Sequence, residues 1–201
     1  EYMLDTAKLA RKKKLLNLMI TAGYINEQPL LDLCPYLDAA RIDLKGMTED
    51  FYQKMSSAQL APVLKAIQIL QDQGVWIELI NLVVPTWNDS PKDLLKLSRW
   101  VAETLGPDVP LHFSRFWPQH QLQNLPPTPP ETMTMAWETA KQQGLNYVYV
   151  GNVPGHPGNN TYCPVDKKLL IRRIGYEILE NHIIDGKCKY CQTKIPGIWK
   201  T

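Results

Sequence analysis

Three of the four cysteines fall close together near the C-terminus. Cys188 and Cys191 form CKYC, a C-x-x-C bite of the kind with which two thiolates grip one metal ion. About twenty residues upstream, in TYCPVDKKLL, Cys163 opens a similar turn, but Asp166 stands where a second thiolate is expected. The pattern allows a metal site with one carboxylate ligand, a knuckle without metal, or a disulfide. Four cysteines are few for a secreted scaffold of 201 residues, and their clustering fits metal in a reducing cytosol better than a disulfide framework.

A second set of candidates stands where apolar runs end. Asp43 and Lys45 are two residues apart in AARIDLKG, so both project to one side of an extended strand. A carboxylate and an ammonium so placed can hold the two ends of an amino acid, a monovalent cation, or each other; in the last case they only order the fold. Lys45 could also serve as an imine-forming amine, which needs basicity lowered by burial and which Asp43 beside it opposes. Thr21, Gly23 and Tyr24 follow another run. His112, Ser114 and Arg115 lie on a third, and Asn152 and His156 follow a fourth. His112 taken alone reads as a core histidine, Asn88-Asp89 as a turn and helix cap, and Cys34 as a small apolar residue packed against Leu30 and Leu31.

The elements that must position these residues follow from periodicity and punctuation. Apolar runs at 16–21, 39–44, 75–84, 109–116 and 146–151 read as strands, the first of them buried. Between them lie helical patterns: 4–16 with a basic outer face, a short helix at 28–37 broken at Pro35, another opened by Thr48-Glu49-Asp50, and 61–73 closed by Gly74. Ser90-Pro91 opens the next helix with a cap and a first-turn proline, and 132–143 closes at Gly144. Repeated strand–helix units predict an α/β fold with parallel strands and helices outside. Such a sheet is open and doubly wound or part of a (β/α) barrel, and in both the reactive face lies at the strand C-termini. No G-x-G-x-x-G follows a strand, which removes the dinucleotide reading.

Composition bounds the partners. Hydrophobic residues are 44% and charged residues 21%, as in an ordinary globular chain, and a net charge of +2 gives no pull toward nucleic acid or an anionic membrane. No window reaches a membrane span. Arg11 to Gly23 has the order of a signal peptide, basic then apolar, but Glu1 and Asp5 precede it and the run is short. The expectation is a cytoplasmic protein. Glu1 is not an initiator, so either Met3 is the true start or residues precede the chain.

Several stretches together resemble one family: TAGYINEQPLLDLCPYLDAARIDLKGMTEDFYQKM, VVPTWNDS, VPLHFSRFWP, YVYVGNVPGHPGNNTYCP and CKYCQTKIPGIW. They look like pyruvate formate-lyase-activating-enzyme-like radical SAM proteins, specifically the AmmeMemoRadiSam system radical SAM enzymes. The resemblance implies a partial TIM-like barrel and a [4Fe–4S] cluster that cleaves S-adenosylmethionine to a 5′-deoxyadenosyl radical for hydrogen abstraction. The family's C-x-x-x-C-x-x-C cluster motif is absent from these 201 residues, so the resemblance covers a C-terminal portion, and this chain alone should not run the reaction. The resemblance places Thr21 and Gly23 in a turn beside the cofactor and gives Asp43 and Lys45 cation and cofactor-carboxylate contacts. It sets His112 and Arg115 on a strand that approaches cofactor and substrate. It also implies a C-x-x-C…C-x-x-C knuckle, here Cys163, Asp166, Cys188 and Cys191. Zinc accepts carboxylate as well as thiolate, so these four can close a tetrahedron, with affinity below that of four thiolates.

Departures from the family pattern are Lys14, Lys167 and Gln192 where glycine is usual, Ala22 for asparagine and Asp166 for cysteine. The expected organisation is residues 1–154 as barrel units and 155–201 as a Cys-containing tail with little core of its own. The knuckle would staple that tail to the loop after the fifth strand. The substrate would be a protein or a small molecule, and a dimer or an N-terminal complement would cover the open sheet edge. Two other readings stay open: a non-catalytic, metal-stapled scaffold, and a TIM-like lyase using Lys45.

Overall fold

A computed structural model describes residues 1–199. The five principal strands are β1 (Leu18–Thr21), β2 (Ala39–Asp43), β3 (Trp76–Val83), β4 (Leu111–Arg115) and β5 (Val148–Gly151). They form one parallel sheet in the order β1-β2-β3-β4-β5, the α/β arrangement expected of a partial TIM-like barrel. The chain divides into two compact units, Glu1–Asn81 and the residues from Leu82 on.

In the first unit, α1 (Tyr2–Lys12) leads into β1, and α2 (Glu27–Leu33) with a 3-10 turn at Cys34–Tyr36 leads into β2. The expected helix over 28–37 therefore splits before Pro35, whose ring and missing N–H do not continue an α-helix. Next come α3 (Glu49–Ser56), whose Thr48 cap accepts from the Phe51 N–H, and α4 (Leu60–Asp72). Glu49 also accepts from the Leu60 N–H, which fixes the step from α3 to α4. Strand alternation buries Met19, Ala40, Ile42, Ile77 and Leu79 on one face; Leu30 and Leu33 of α2 and Leu60, Val63, Ala66, Ile67, Ile69 and Leu70 of α4 are buried.

β1 departs from the expectation of a buried strand. Leu18 and Ile20 are 60% and 62% exposed, while Met19 between them is buried. β1 stands at the end of the sheet order, and among the described residues nothing covers that face of it.

In the second unit, α5 (Pro91–Trp100) starts at the Ser90 cap and widens into a π-turn, Val101–Leu105, before Gly106. Asn88 and Asp89 act as the turn predicted for them. The Asn88 side chain accepts from the Val84 N–H and donates to the Leu82 carbonyl, and Asp89 accepts from the Thr86 N–H. In the proline-rich connection, Thr128 is fully buried and ties Phe116 N–H to the Val83 carbonyl. α6 (Pro130–Gln142) packs on α5 and on β5.

Beyond β5 the chain forms an antiparallel sheet of β6 (Thr161–Tyr162), β7 (Leu169–Ile174) and β8 (Glu177–Asn181), then a ribbon of β9 (Ile183–Ile184) and β10 (Lys187–Cys188). The core of this segment is small. Cys163, Leu170, Ile171, Cys188 and Ile195 pack together with Tyr147. The strands are short and interrupted by polar residues, which is why alternation did not announce them.

Candidate functional site

Four potential ligands converge in the second unit. One atom each of Cys163, Asp166, Cys188 and Cys191 lies within 4.8 Å of the other three. The Cys163 and Cys191 sulfurs are 3.5 Å apart, and Cys188 Sγ is 4.0 Å from Asp166 Oδ2. Ligand atoms on a tetrahedral zinc ion with ~2.3 Å bonds stand about 3.8 Å apart, so the cluster has the size of one such ion.

Two similar turns build it. In the first, Cys163 N–H bonds the Lys168 carbonyl, Lys167 N–H bonds the Cys163 carbonyl, and Lys168 N–H bonds Asp166 Oδ1. In the second, Cys188 N–H bonds the Thr193 carbonyl, Gln192 N–H bonds the Cys188 carbonyl, and Tyr190 N–H points at Cys188 Sγ at 3.4 Å. Such N–H···S contacts favour thiolate. Burial pushes the Cys163 thiol up to about 12, against the backbone N–H groups of Asp166 and Val165. Cys191 is exposed and lowered, chiefly by the Thr193 hydroxyl. For Asp166, burial acts upward but is outweighed by the Lys168 N–H and its neighbours, and the carboxyl ends below its ordinary value. A donor set this compact, with sulfur-directed backbone N–H groups, fits a metal ion.

Lys14, Lys167 and Gln192 all have left-handed backbone angles, with φ of 60°, 59° and 65°. These are the three positions at which the sequence departs from an expected glycine, and a β-carbon is disfavoured at each.

The strand-end group of the first unit lies on β2 and just past it. Asp43 stands between two cations: Lys45 Nζ is 3.6 Å from its Oδ2 and Arg41 is 3.7 Å from its Oδ1. The two-residue spacing therefore does put Asp43 and Lys45 on one side. Arg41, at the same spacing on the other side of Asp43, was not singled out from the sequence, although strand period two was the signal that could have found it. The Tyr52 hydroxyl accepts from the Lys45 N–H, and burial pushes it up to about 12.

Thr21 and Gly23 form the turn after β1: the Thr21 hydroxyl accepts from the Gly23 N–H at 3.1 Å. Gly23 has φ +73°, and a β-carbon there would sit 3.1 Å from Ile42 and 3.2 Å from Val63. This glycine is required by backbone and packing, whatever binds nearby.

His112 and Arg115 belong to the second unit. His112 stacks on Tyr149 with ring centres 4.7 Å apart, and the Tyr149 hydroxyl is 3.0 Å from Thr161 Oγ1. Arg115 donates from Nε to the Thr128 carbonyl and lies 4.6 Å over the exposed Trp117 ring. His156 caps a short turn. Its Nδ1 accepts from the Gly158 N–H, and its other ring nitrogen is 3.3 Å from Thr134 Oγ1. No helix among the described residues is long and apolar enough to cross a membrane.

No family model matches the chain. It is 46% identical over 197 residues to an uncharacterized protein, MJ0808, of Methanocaldococcus jannaschii. The match takes in 97% of this chain and 58% of that protein, so the chain spans little more than half its relative's length. Among solved structures, a domain of pyruvate-formate lyase-activating enzyme from Bacteroides vulgatus superposes with TM-score 0.65 at 14% identity, over 75% of this chain and 90% of that one. SuiB of Streptococcus suis gives 0.59 at 8% identity, over 74% and 36% of the two chains. A radical SAM methyltransferase from Sphaerobacter thermophilus gives 0.55 at 12%, over 76% and 43%. At these identities the likeness is one of fold.

Proposed function

We propose that the chain is part of a radical S-adenosylmethionine protein of the pyruvate formate-lyase-activating-enzyme-like type, and within it of the AmmeMemoRadiSam group. In such proteins a [4Fe–4S] cluster supplies the electron that turns S-adenosylmethionine into a hydrogen-abstracting 5′-deoxyadenosyl radical. The cysteines of this chain do not fit that cluster: none of its 201 residues forms C-x-x-x-C-x-x-C, and three of the four cysteines belong to the knuckle. The share of this chain is to bind and orient. The observation that carries the reading is the Asp43–Lys45 ion pair at the end of β2, in a fold like that of a pyruvate-formate lyase-activating enzyme domain and of a radical SAM methyltransferase. Asp43 would take the ammonium of the cofactor's methionyl end and Lys45 its carboxylate. Thr21 and Gly23, in the same unit, would contribute to the same ligand's surroundings. A protein or small-molecule substrate and a cytoplasmic location belong to the proposal.

The test uses the longest reading frame that contains this chain. Purified anaerobically and reconstituted with iron and sulfide, its product should form 5′-deoxyadenosine from S-adenosylmethionine under a low-potential reductant. A product with no iron–sulfur absorbance and no 5′-deoxyadenosine would overturn the proposal.

The knuckle supports a second reading for the C-terminal segment, compatible with the first. Three thiolates and Asp166 would hold one zinc ion with no position left for substrate, which makes the ion a staple rather than a catalyst. Metal analysis should find one zinc per chain, lost in Asp166→Ala or Cys188→Ala. Full retention in both variants would contradict it.

A further inference from the structure

The three sulfurs of the knuckle differ in what can reach them. Cys163 and Cys188 are 1% and 0% exposed, whereas Cys191 lies on the surface, its Sγ 3.2 Å from the Thr193 hydroxyl. A small oxidant in water therefore meets Cys191 and neither of the other two. The Cys163 sulfur, which belongs to the other turn, stands 3.5 Å from Cys191 Sγ. That separation is already van der Waals contact between two sulfurs. Cys188 is held differently: its sulfur takes the Tyr190 N–H at 3.4 Å within its own turn and faces Asp166 at 4.0 Å. Cys34, the fourth cysteine, is buried in the first unit.

A bridge between Cys163 and Cys191 takes one ligand from each turn. It leaves Cys188 and Asp166, one thiolate and one carboxylate, which is fewer protein ligands than either structural or catalytic zinc sites keep. The ion has then lost half of its hold. The chain has not, because the bridge joins residues 28 apart in sequence, and β7, β8, β9 and β10 lie between them. The segment exchanges a metal tie for a covalent one. A Cys188–Cys191 bridge would also free the ion, but both of its sulfurs belong to one turn, so the two turns would be left unjoined.

We propose that Cys191 is an oxidation site and Cys163 its resolving thiol, so that hydrogen peroxide converts the knuckle from a metal-held to a disulfide-held staple. The Cys191 sulfur attacks one peroxide oxygen and breaks the O–O bond, giving a sulfenic acid on Cys191 and a hydroxide. The Cys163 sulfur then attacks the Cys191 sulfur and expels its oxygen as a second hydroxide. Two thiolates, two protons and one peroxide give one disulfide and two waters, and the zinc ion leaves with its charge unchanged. The inference rests on the zinc reading of the knuckle, and adds to it a reactive sulfur and an order of events.

The test exposes the full 201-residue chain, zinc-loaded and in parallel metal-free, to hydrogen peroxide with a zinc-binding dye in solution. The dye should report about one zinc released for every two thiols lost. A non-reducing tryptic digest should join the peptide of Cys163 to that of Cys191; Lys189 separates Cys191 from Cys188, so the two bridges are told apart by mass. The circular dichroism spectrum should hold while the ion leaves, and a thiol reductant with added zinc should restore the metal content. Cys188→Ser should still form the bridge. A bridge from Cys191 to Cys188, a bridge between two chains, over-oxidation of Cys191 without a bridge, or zinc kept after the bridge forms would overturn the inference. Zinc bound at the start with no bridge under peroxide would refute it too, and leave the zinc reading standing. A Cys163–Cys191 bridge in a chain that takes up no zinc would refute the zinc reading and leave the oxidation site standing.

Discussion

Lys167 and Gln192 hold left-handed angles at equivalent places in the two turns of the knuckle. A β-carbon in that region costs of order 1–3 kcal/mol, part of which glycine gives back through its looser unfolded chain. Lys167→Gly and Gln192→Gly should therefore each stabilise the protein by about 1 kcal/mol. Paired thermal melts of the metal-loaded protein check this, and an unchanged or lower Tm in both would contradict it. Gly23 is the opposite case. Gly23→Ala meets both a φ of +73° and methyl groups of Ile42 and Val63 at 3.1 and 3.2 Å, so it should destabilise by about 2–4 kcal/mol in urea denaturation. His156 gives a pH dependence. Burial lowers its pKa from 6.5, and Nδ1 must stay unprotonated to accept from Gly158. The unfolded chain then binds the proton more readily than the folded one. The histidine's contribution is present above pH 6.5 and is lost as pH falls from 6.5 through the lowered folded value. A ring titration followed by NMR should show a pKa below 6.5, and a value above it would refute the assignment.

At the scale of elements, the parallel strands were legible because each is a β-branched or aliphatic run ended by glycine, proline or a charged pair. The helices were legible because Thr48, Ser90 and Gly74 mark their ends. The three-stranded sheet beyond β5 was not. LLIRRIGYEILEN carries exposed Ile174, Tyr176 and Ile178 beside paired Arg172 and Glu180, so its polarity does not alternate cleanly with burial. Chemistry was legible where residue type alone carried it. The four knuckle ligands were named from spacing, whereas Arg41 was missed because a lone arginine in an apolar run reads as a surface residue. The knuckle also predicts how this element melts. Cys163 and Cys188 belong both to the ligand cluster and to the small core around Leu170 and Ile171. Chelator treatment should lower hydrogen-exchange protection in β6, β7 and β10, and leave β2 and β3 protected. Uniform loss, or no loss, would show that the cluster does not staple this segment.

For the whole molecule, we propose a parallel sheet with polar strand ends and, in the C-terminal segment, a metal staple. The sheet would hold the ligand and the staple would not take part in the chemistry. Zinc removal should therefore lower stability while leaving affinity for S-adenosylmethionine within about threefold, less than a kcal/mol. The most direct measurement of the central claim is calorimetric titration of the 201-residue chain with S-adenosylmethionine, beside Asp43→Asn and Lys45→Gln. The account predicts saturable binding at one site per chain, weakened about tenfold or more in each variant, with the fold intact by circular dichroism. No binding to the unaltered chain, or the same affinity in all three proteins, would contradict it.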